Sequence, residues 1–359
     1  MRALSDSWKP AVDAAASGAR ISEQEAVSLF SAPLASLGAA ADAVGRRLHP
    51  EPYRTFVIDR NINYSNICVS GCTFCAFFRP PGHPKGYVLS LDEIIQKIDE
   101  AVAVGATQIL MQGGLHPDLP LSWFEETFQA IKARFPGITI HSLSAPEIAH
   151  LSRISGLTAE TTLSRLYAAG LDSLPGGGAE ILCDDVRSQI SPKKCTAVEW
   201  LDVMRAASRI GMRATATMVF GHIETTEHRV RHLLRIRDLQ DETGLFTAFI
   251  PWTFQPANTA LGGVPTSTHD YLRTLAVSRL VLDNVPNIQA SWVTQGAKIG
   301  QLALAFGAND LGSTMIEENV VRAAGVEFRM SRDDLAHLIR RAGFTPAIRD
   351  TQYRILEMP

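Results

Sequence analysis

The sequence predicts an α/β protein, a (β/α)8 TIM-type barrel behind an N-terminal helical extension. Two observations point there. Short β-branched runs alternate with amphipathic helical patterns from about residue 55 to beyond residue 300, and the Gly-, Ser- and Asn-rich stretches fall after the strands. Eight strand–helix units at this spacing favour a parallel barrel over an open doubly wound sheet; six units in an open barrel stay possible. A chain of 359 residues, 46% of them hydrophobic, can bury one core of that size.

Residues 1–48 read as a helical cap and residues 49–359 as the barrel with a C-terminal extension. Ser22-Glu-Gln-Glu starts one helix with acidic residues in its first turn, and an alanine-rich helix follows Pro33. His49-Pro-Glu-Pro52 breaks the helical pattern, and Thr55-Phe-Val-Ile-Asp59 is the first buried strand. Arg79 to Tyr87 is a stiff basic loop rich in Pro and Gly. Ser90-Leu-Asp-Glu93 opens a helix to about Val104, followed by a strand at 107–111. The alternation continues with helices at 121–135, 146–169, 196–210, 225–243, 268–283 and 296–306. The strands between them lie at 138–141, 171–174, 213–220, 246–251 and 287–292, with a weak last one near Ala308.

A formal charge of −3 gives no electrostatic reason to expect nucleic acid. No apolar run approaches the ~20 residues that cross a bilayer. Met1 to Pro10 lacks the apolar core of a signal peptide, and the cysteines cluster instead of pairing, so a reducing, cytoplasmic setting is expected, with no membrane partner.

Three of the five cysteines, Cys68, Cys72 and Cys75, stand at C-x3-C-x2-C spacing. Four protein ligands close a zinc site or a ferredoxin cluster, so three thiolates imply a centre with an open position. In a [4Fe-4S] cube the fourth iron is then free to chelate the amino and carboxylate groups of S-adenosylmethionine. One electron from the cube would break the C5'–S bond and release a 5'-deoxyadenosyl radical. The competing readings are three buried thiols, or a zinc knuckle completed by His83; a repeat of four and then three residues suits neither. Phe74, Ala76 and Phe77 would form an apolar collar, with Phe74 against adenine. Cys183 and Cys195 are read as ordinary thiols.

The strand ends supply the remaining candidates. Gln112-Gly113-Gly114 lets backbone approach the methionine end of the cosubstrate, or is a tight turn. Ser144 and Glu147 suit a ribose diol and an ammonium, or cap a helix; Glu180 and Arg187 follow a three-glycine run and suit an ammonium and a carboxylate. His222, Glu224 and Asp310 are candidate proton acceptors, with capping or turn-shaping as the alternatives. Trp252, Gln255, Asn258, Gln289 and Ser291 suit a substrate that is part ring and part sugar, although aromatics such as Trp252 are more often core.

Cys68-Val-Ser-Gly-Cys-Thr-Phe-Cys75, Gly113-Gly-Leu-His-Pro-Asp118, Pro175-Gly-Gly-Gly-Ala-Glu180, Gly221-His-Ile-Glu224, Ile250-Pro-Trp-Thr-Phe-Gln-Pro256 and Gly307-Ala-Asn-Asp310 together resemble the radical S-adenosylmethionine (SAM) enzymes of the futalosine route to menaquinone. The resemblance runs from about residue 50 to the C-terminus. Arg60-Asn-Ile-Asn-Tyr64, Arg79-Pro-Pro-Gly-His83 and Gln289-Ala-Ser-Trp-Val-Thr-Gln-Gly296 look most like the cyclising branch, ahead of the sister aminofutalosine and deazaflavin (FO) synthases. It implies a barrel of the radical SAM class that holds a [4Fe-4S] cluster and S-adenosyl-L-methionine. It also implies dehypoxanthine futalosine as substrate, abstraction of its ribose C4' hydrogen and ring closure onto its benzoate. The electron would come from a flavodoxin- or ferredoxin-type donor.

Overall fold

The computed structural model describes residues 6–359; the expectation for the first ten residues falls partly on residues 1–5, outside the described residues. Among the described residues eleven strands follow in order: β1 Tyr53–Val57, β2 Asp59–Ile62, β3 Gln108–Met111, β4 Thr139–Ser142, β5 Ser173–Leu174, β6 Arg213–Phe220, β7 Phe246–Thr253, β8 Asn287–Ile288, β9 Asp310–Ser313, β10 Thr345–Arg349 and β11 Ile355–Glu357.

Strands β2 to β8 form one parallel sheet in sequence order. The ring closes through β9. A parallel bridge joins Gln289 to Asp310, and β9 pairs in parallel with β1, which runs into β2 through Ile58 alone. Counting β1 and β2 as one path gives the eight-stranded barrel that the alternation predicted. Strand β10 lies on the other edge of β1, in parallel, and turns back into the short antiparallel β11.

Local chemistry accounts for the helices. Full capping boxes start Glu23–Leu29 at Ser22, Leu91–Ala103 at Ser90 and Ala197–Arg209 at Thr196; caps of this kind contribute about 1 kcal/mol each. Ile94, Ile98 and Ala101 then share the buried face of Leu91–Ala103. Lys9–Ser17, Glu23–Leu29 and Leu34–Leu48 pack on the barrel helices Thr226–Thr243 and Thr268–Val281 and join the same hydrophobic core. None of their residues lines the interior cavity described below.

The structure departs from the sequence reading at the ends of the barrel. The strand expected at 287–292 stops at Ile288, and Trp292–Gln295 is a helical turn. The last strand starts at Asp310, where Gly307 at φ +95° lies against Arg279 and Ala41. Helix Arg332–Arg341, β10 and β11 make up the C-terminal extension, which the pattern did not resolve.

Candidate active site inside the barrel

The cluster loop leaves the top of β2 and returns on itself. Cys68 N–H donates to Arg79 O (2.9 Å), Arg79 N–H to Asn66 O (2.8 Å), and Tyr87 N–H to Asn66 Oδ1 (3.0 Å), so the stiff 79–87 loop clasps the cysteine loop. Cys68, Cys72 and Cys75 all line a cavity of about 420 Å³ that descends inside the barrel to the turn after β10. The Cys68 sulfur accepts N–H bonds from Ser70 (3.4 Å) and Leu115 (3.3 Å), and Ser70 Oγ lies 3.1 Å from Cys72 Sγ. Such donors support thiolate ligands. Burial pushes the Cys68 and Cys75 thiols up; iron binding replaces those protons. Among the described residues no three His, Cys, Asp or Glu side chains gather around a single-ion position. His83 uses Nδ1 to accept Lys85 N–H (3.1 Å). The donor set fits a three-thiolate cluster and lacks the fourth ligand of a zinc knuckle.

The glycines after β3 are held by packing. A Cβ on Gly113 would lie 2.6 Å from the Tyr64 ring, and one on Gly114 would lie 2.1 Å from Ile67 O. Both line the cavity with Gln112. Gly113 N–H donates to Glu147 Oε1 (3.0 Å), which also accepts the Tyr64 hydroxyl (2.8 Å), while Glu147 Oε2 accepts Ser144 N–H and Oγ–H. Ser144 and Glu147 are thus a capping box, one that also ties the β3 turn to the cluster loop. Ser144 still lines the cavity.

Glu180 faces the cavity at φ +44°, a costly conformation for a non-glycine residue. It pairs with Lys194, Nζ to Oε1 2.6 Å, and the ammonium stands 5.2 Å over Phe74, which lines the cavity too. Burial acts to lower the Lys194 pKa, but its neighbours Cys72 and Glu180 outweigh it and hold the ammonium protonated. Burial likewise works against the Glu180 anion, yet Lys194 keeps that carboxyl below the usual range. Lys194 sits between two helices, away from any strand end, so no pattern in the sequence marks it.

Five expected site residues do not line the cavity. Arg187 spends its guanidinium on Cys195 O, Gly178 O and Ala179 O, bracing the glycine run instead of meeting a carboxylate. His222 accepts Ile223 N–H at Nδ1 (2.7 Å) and gives its Nε2 proton to Val219 O (3.0 Å). It is a neutral ring, its pKa lowered by burial. Glu224 accepts Gly221 N–H and His222 N–H and pairs with Arg229. Asp310 lies fully buried, clamped bidentately by Arg349 (2.5 and 3.0 Å) and bonded by Thr55 Oγ1 (2.5 Å). Asn258 reaches over the surface to Ala323 O.

Trp252, Gln255, Gln289 and Ser291 do line the cavity. Below them it is polar. Gln289 Nε2 donates to Tyr353 OH (2.8 Å), and Thr351 Oγ1 to Gln108 Oε1 (2.7 Å). Asp59 accepts the Ser313 hydroxyl and Gln108 Nε2 (2.8 Å). Burial pushes the Asp59 carboxyl up to about 6, against the pull of Ser313, Gln108 and Arg349. Burial and Arg349 push His141, also on this wall, down to about 3. The signal for Asp59, Asn61 and Asn63 is the polar residue at every second position where the chain continues past the first expected strand, a spacing that places all three on one side of an extended strand.

Comparison with known proteins gives the family. Residues 62–236 match the radical SAM superfamily model, and residues 243–359 match the CofH/MqnC C-terminal region. The chain is 49% identical to the cyclic dehypoxanthine futalosine synthase of Halalkalibacterium halodurans, over 96% of this chain and 94% of that one. It is 45% identical to the 5-amino-6-(D-ribitylamino)uracil–L-tyrosine 4-hydroxyphenyl transferase of Archaeoglobus fulgidus, over 84% and 89%. Among solved structures, methylornithine synthase superposes with a TM-score of 0.71 at 19% identity, over 94% of this chain and 97% of that one.

Proposed function

The chain belongs to the radical SAM superfamily, in the group that carries the CofH/MqnC C-terminal region, and from that premise we propose that it acts as a cyclic dehypoxanthine futalosine synthase in menaquinone biosynthesis. The observation that carries this reading is 49% identity over nearly the whole length of both chains. When bound, the [4Fe-4S] cluster and S-adenosylmethionine supply a 5'-deoxyadenosyl radical able to take hydrogen from the substrate ribose at C4'. The new carbon radical then adds to the attached benzoate ring.

The chain's own groups prepare that reaction. Cys68, Cys72 and Cys75, which line the cavity, would hold the cluster. Lys194 and Glu180 offer opposite charges to the carboxylate and ammonium of the methionine moiety, and Phe74 offers a face to adenine. The amides of Gln112 and Gln255, the hydroxyl of Ser291 and the Trp252 ring suit a substrate with hydroxyls and an arene. Polar side chains hold the substrate deeper in the barrel, away from bulk water. A flavodoxin- or ferredoxin-type protein of the cytoplasm delivers the electron; no helix among the described residues is long and apolar enough to cross a membrane.

The test is anaerobic reconstitution with iron, sulfide and S-adenosylmethionine, followed by mass analysis after adding dehypoxanthine futalosine. A cyclised product two mass units lighter, with one 5'-deoxyadenosine per turnover, is expected. The 45% identity to the transferase supplies the second reading. Product from L-tyrosine and 5-amino-6-(D-ribitylamino)uracil, with none from dehypoxanthine futalosine, would move the chain to that reaction.

A further inference from the structure

Ring closure onto an arene leaves a cyclohexadienyl radical that must lose one proton and one electron to become aromatic again. His222, Glu224 and Asp310 do not reach the cavity, whereas four other carboxylates do: Asp59, Glu147, Glu180 and Glu318. Glu147 already accepts four hydrogen bonds, from Ser144 N–H, Ser144 Oγ–H, Gly113 N–H and the Tyr64 hydroxyl. Glu180 is neutralised by the Lys194 ammonium at 2.6 Å. Glu318 accepts Val320 N–H, Val321 N–H and Asn61 Nδ2–H, which fix it as the cap of its own turn. Among the described residues the Asp59 carboxylate accepts only two hydrogen bonds, both from neutral groups, Ser313 Oγ and Gln108 Nε2.

A second observation places a ligand against the same strand. Asp59, Asn61 and Asn63 are alternate residues along β2 and its continuation, and all three line the cavity. Asn61 Nδ2 donates to Glu318 Oε2 (2.7 Å) and Asn63 Nδ2 to Gln112 O (3.2 Å), which sets the orientation of both amides. Their carbonyl oxygens, Asn61 Oδ1 and Asn63 Oδ1, are buried without any hydrogen-bond partner. Buried acceptors of this kind are costly unless a donor arrives, and the hydroxyls of a sugar are such donors. A ligand bonded to Asn61 and Asn63 lies alongside Asp59.

On the reading that the chain cyclises dehypoxanthine futalosine, we propose that Asp59 is the catalytic base that completes ring closure. The C–H bond at the new ring junction breaks and its proton passes to the Asp59 carboxylate. The remaining electron would leave to a one-electron acceptor of the iron–sulfur class, and the arene would be restored. Asp59 combines what this step needs: an open acceptor, a wall shared with the sugar, and seclusion from water.

The experiment compares the reconstituted wild type with Asp59→Asn, given S-adenosylmethionine and dehypoxanthine futalosine. The variant is expected to bind the substrate within threefold of wild type by calorimetry and to form 5'-deoxyadenosine within threefold in the first turnover. It should yield at least tenfold less cyclised product per 5'-deoxyadenosine and accumulate an organic radical in freeze-quenched paramagnetic resonance spectra. An unchanged product ratio would overturn the proposal. So would loss of substrate binding together with 5'-deoxyadenosine, which would make Asp59 a binding residue. A wild type that leaves dehypoxanthine futalosine untouched refutes the functional reading instead, independently of the variant.

If Asp59→Asn fails to retain its cluster, the product ratio of the wild type decides. It should fall as pH drops from 8 to 5, and a flat profile overturns the proposal. The charged groups that act on Asp59 are Arg349 from β10 and Glu318 after β9; His141 on β4 and Tyr353 beyond β10 line the same cavity. Glu318→Gln must keep the slope; its loss in that variant would transfer the role to Glu318.

Discussion

At the scale of single residues, buried charges in this barrel divide by the company they keep. Asp310 meets Arg349 bidentately in a place without solvent, and removing one partner of such a pair costs about 3–5 kcal/mol because the other charge is left stranded. Asp310→Asn is therefore expected to lower the apparent melting temperature of the reconstituted protein strongly. A melting temperature within a degree of the parent would show that the pair is dispensable. Asp59 is the opposite case. Its carboxyl has an ordinary value of 3.8 and titrates near 6 in the fold. Between those pH values the folded chain binds a proton that the unfolded chain lacks, so stability falls as pH rises through the window and the penalty is complete above it. At about 1.4 kcal/mol per pKa unit the penalty is roughly 3 kcal/mol at most. Asp59→Asn should therefore melt higher than the parent at pH 7.5, with the gain shrinking towards pH 4. Equal melting at both pH values would mean that burial does not strain this carboxylate. A group kept at a cost to stability is typical of a working site.

At the scale of elements, the β3 turn and the cluster loop are one packed unit. Gly114 lies so close to Ile67 that a single methyl would need space taken by the Ile67 carbonyl, and the next residue, Leu115, donates its N–H to the Cys68 sulfur. Gly114→Ala is expected to displace Cys68 and to reduce retained iron after reconstitution by more than half. Normal iron content with weakened S-adenosylmethionine binding would return the glycine pair to a role at the ligand alone. The sequence offers these glycines either to the methionine end of the cosubstrate or to a tight turn. Their closest constraint is the neighbouring loop, a contact between residues that local periodicity does not encode.

At the scale of the whole molecule, the C-terminal extension belongs to the barrel. Strand β10 pairs with β1, Arg349 holds Asp310 on β9, and Thr351 and Tyr353 close the floor against Gln108 and Gln289. Truncation before Thr345 would expose the edge of β1, strand the Asp310 carboxylate and open the cavity from below. The shortened chain is expected to self-associate during gel filtration and to retain little cluster, since an unpaired edge invites pairing between chains. A monodisperse truncated chain with full iron content would show that the barrel closes without its floor.

The sequence alone determined the alternation of strands and helices, the three-cysteine loop and the strand ends that carry Gln112, Glu180 and Trp252, because each is written in neighbouring residues: a period, a spacing, a turn. Tertiary structure decided the rest. His222 and Glu224 follow a strand as expected, whereas Asp310 opens β9 instead of following one, and all three side chains turn into hydrogen bonds and ion pairs away from the cavity. Lys194, Arg349 and Tyr353 reach the cavity from loops and from the chain's end. Where a side chain near a strand end points depends on which partners the closed barrel brings within about 3 Å of it. That is a property of the packed molecule, and no stretch of sequence contains it.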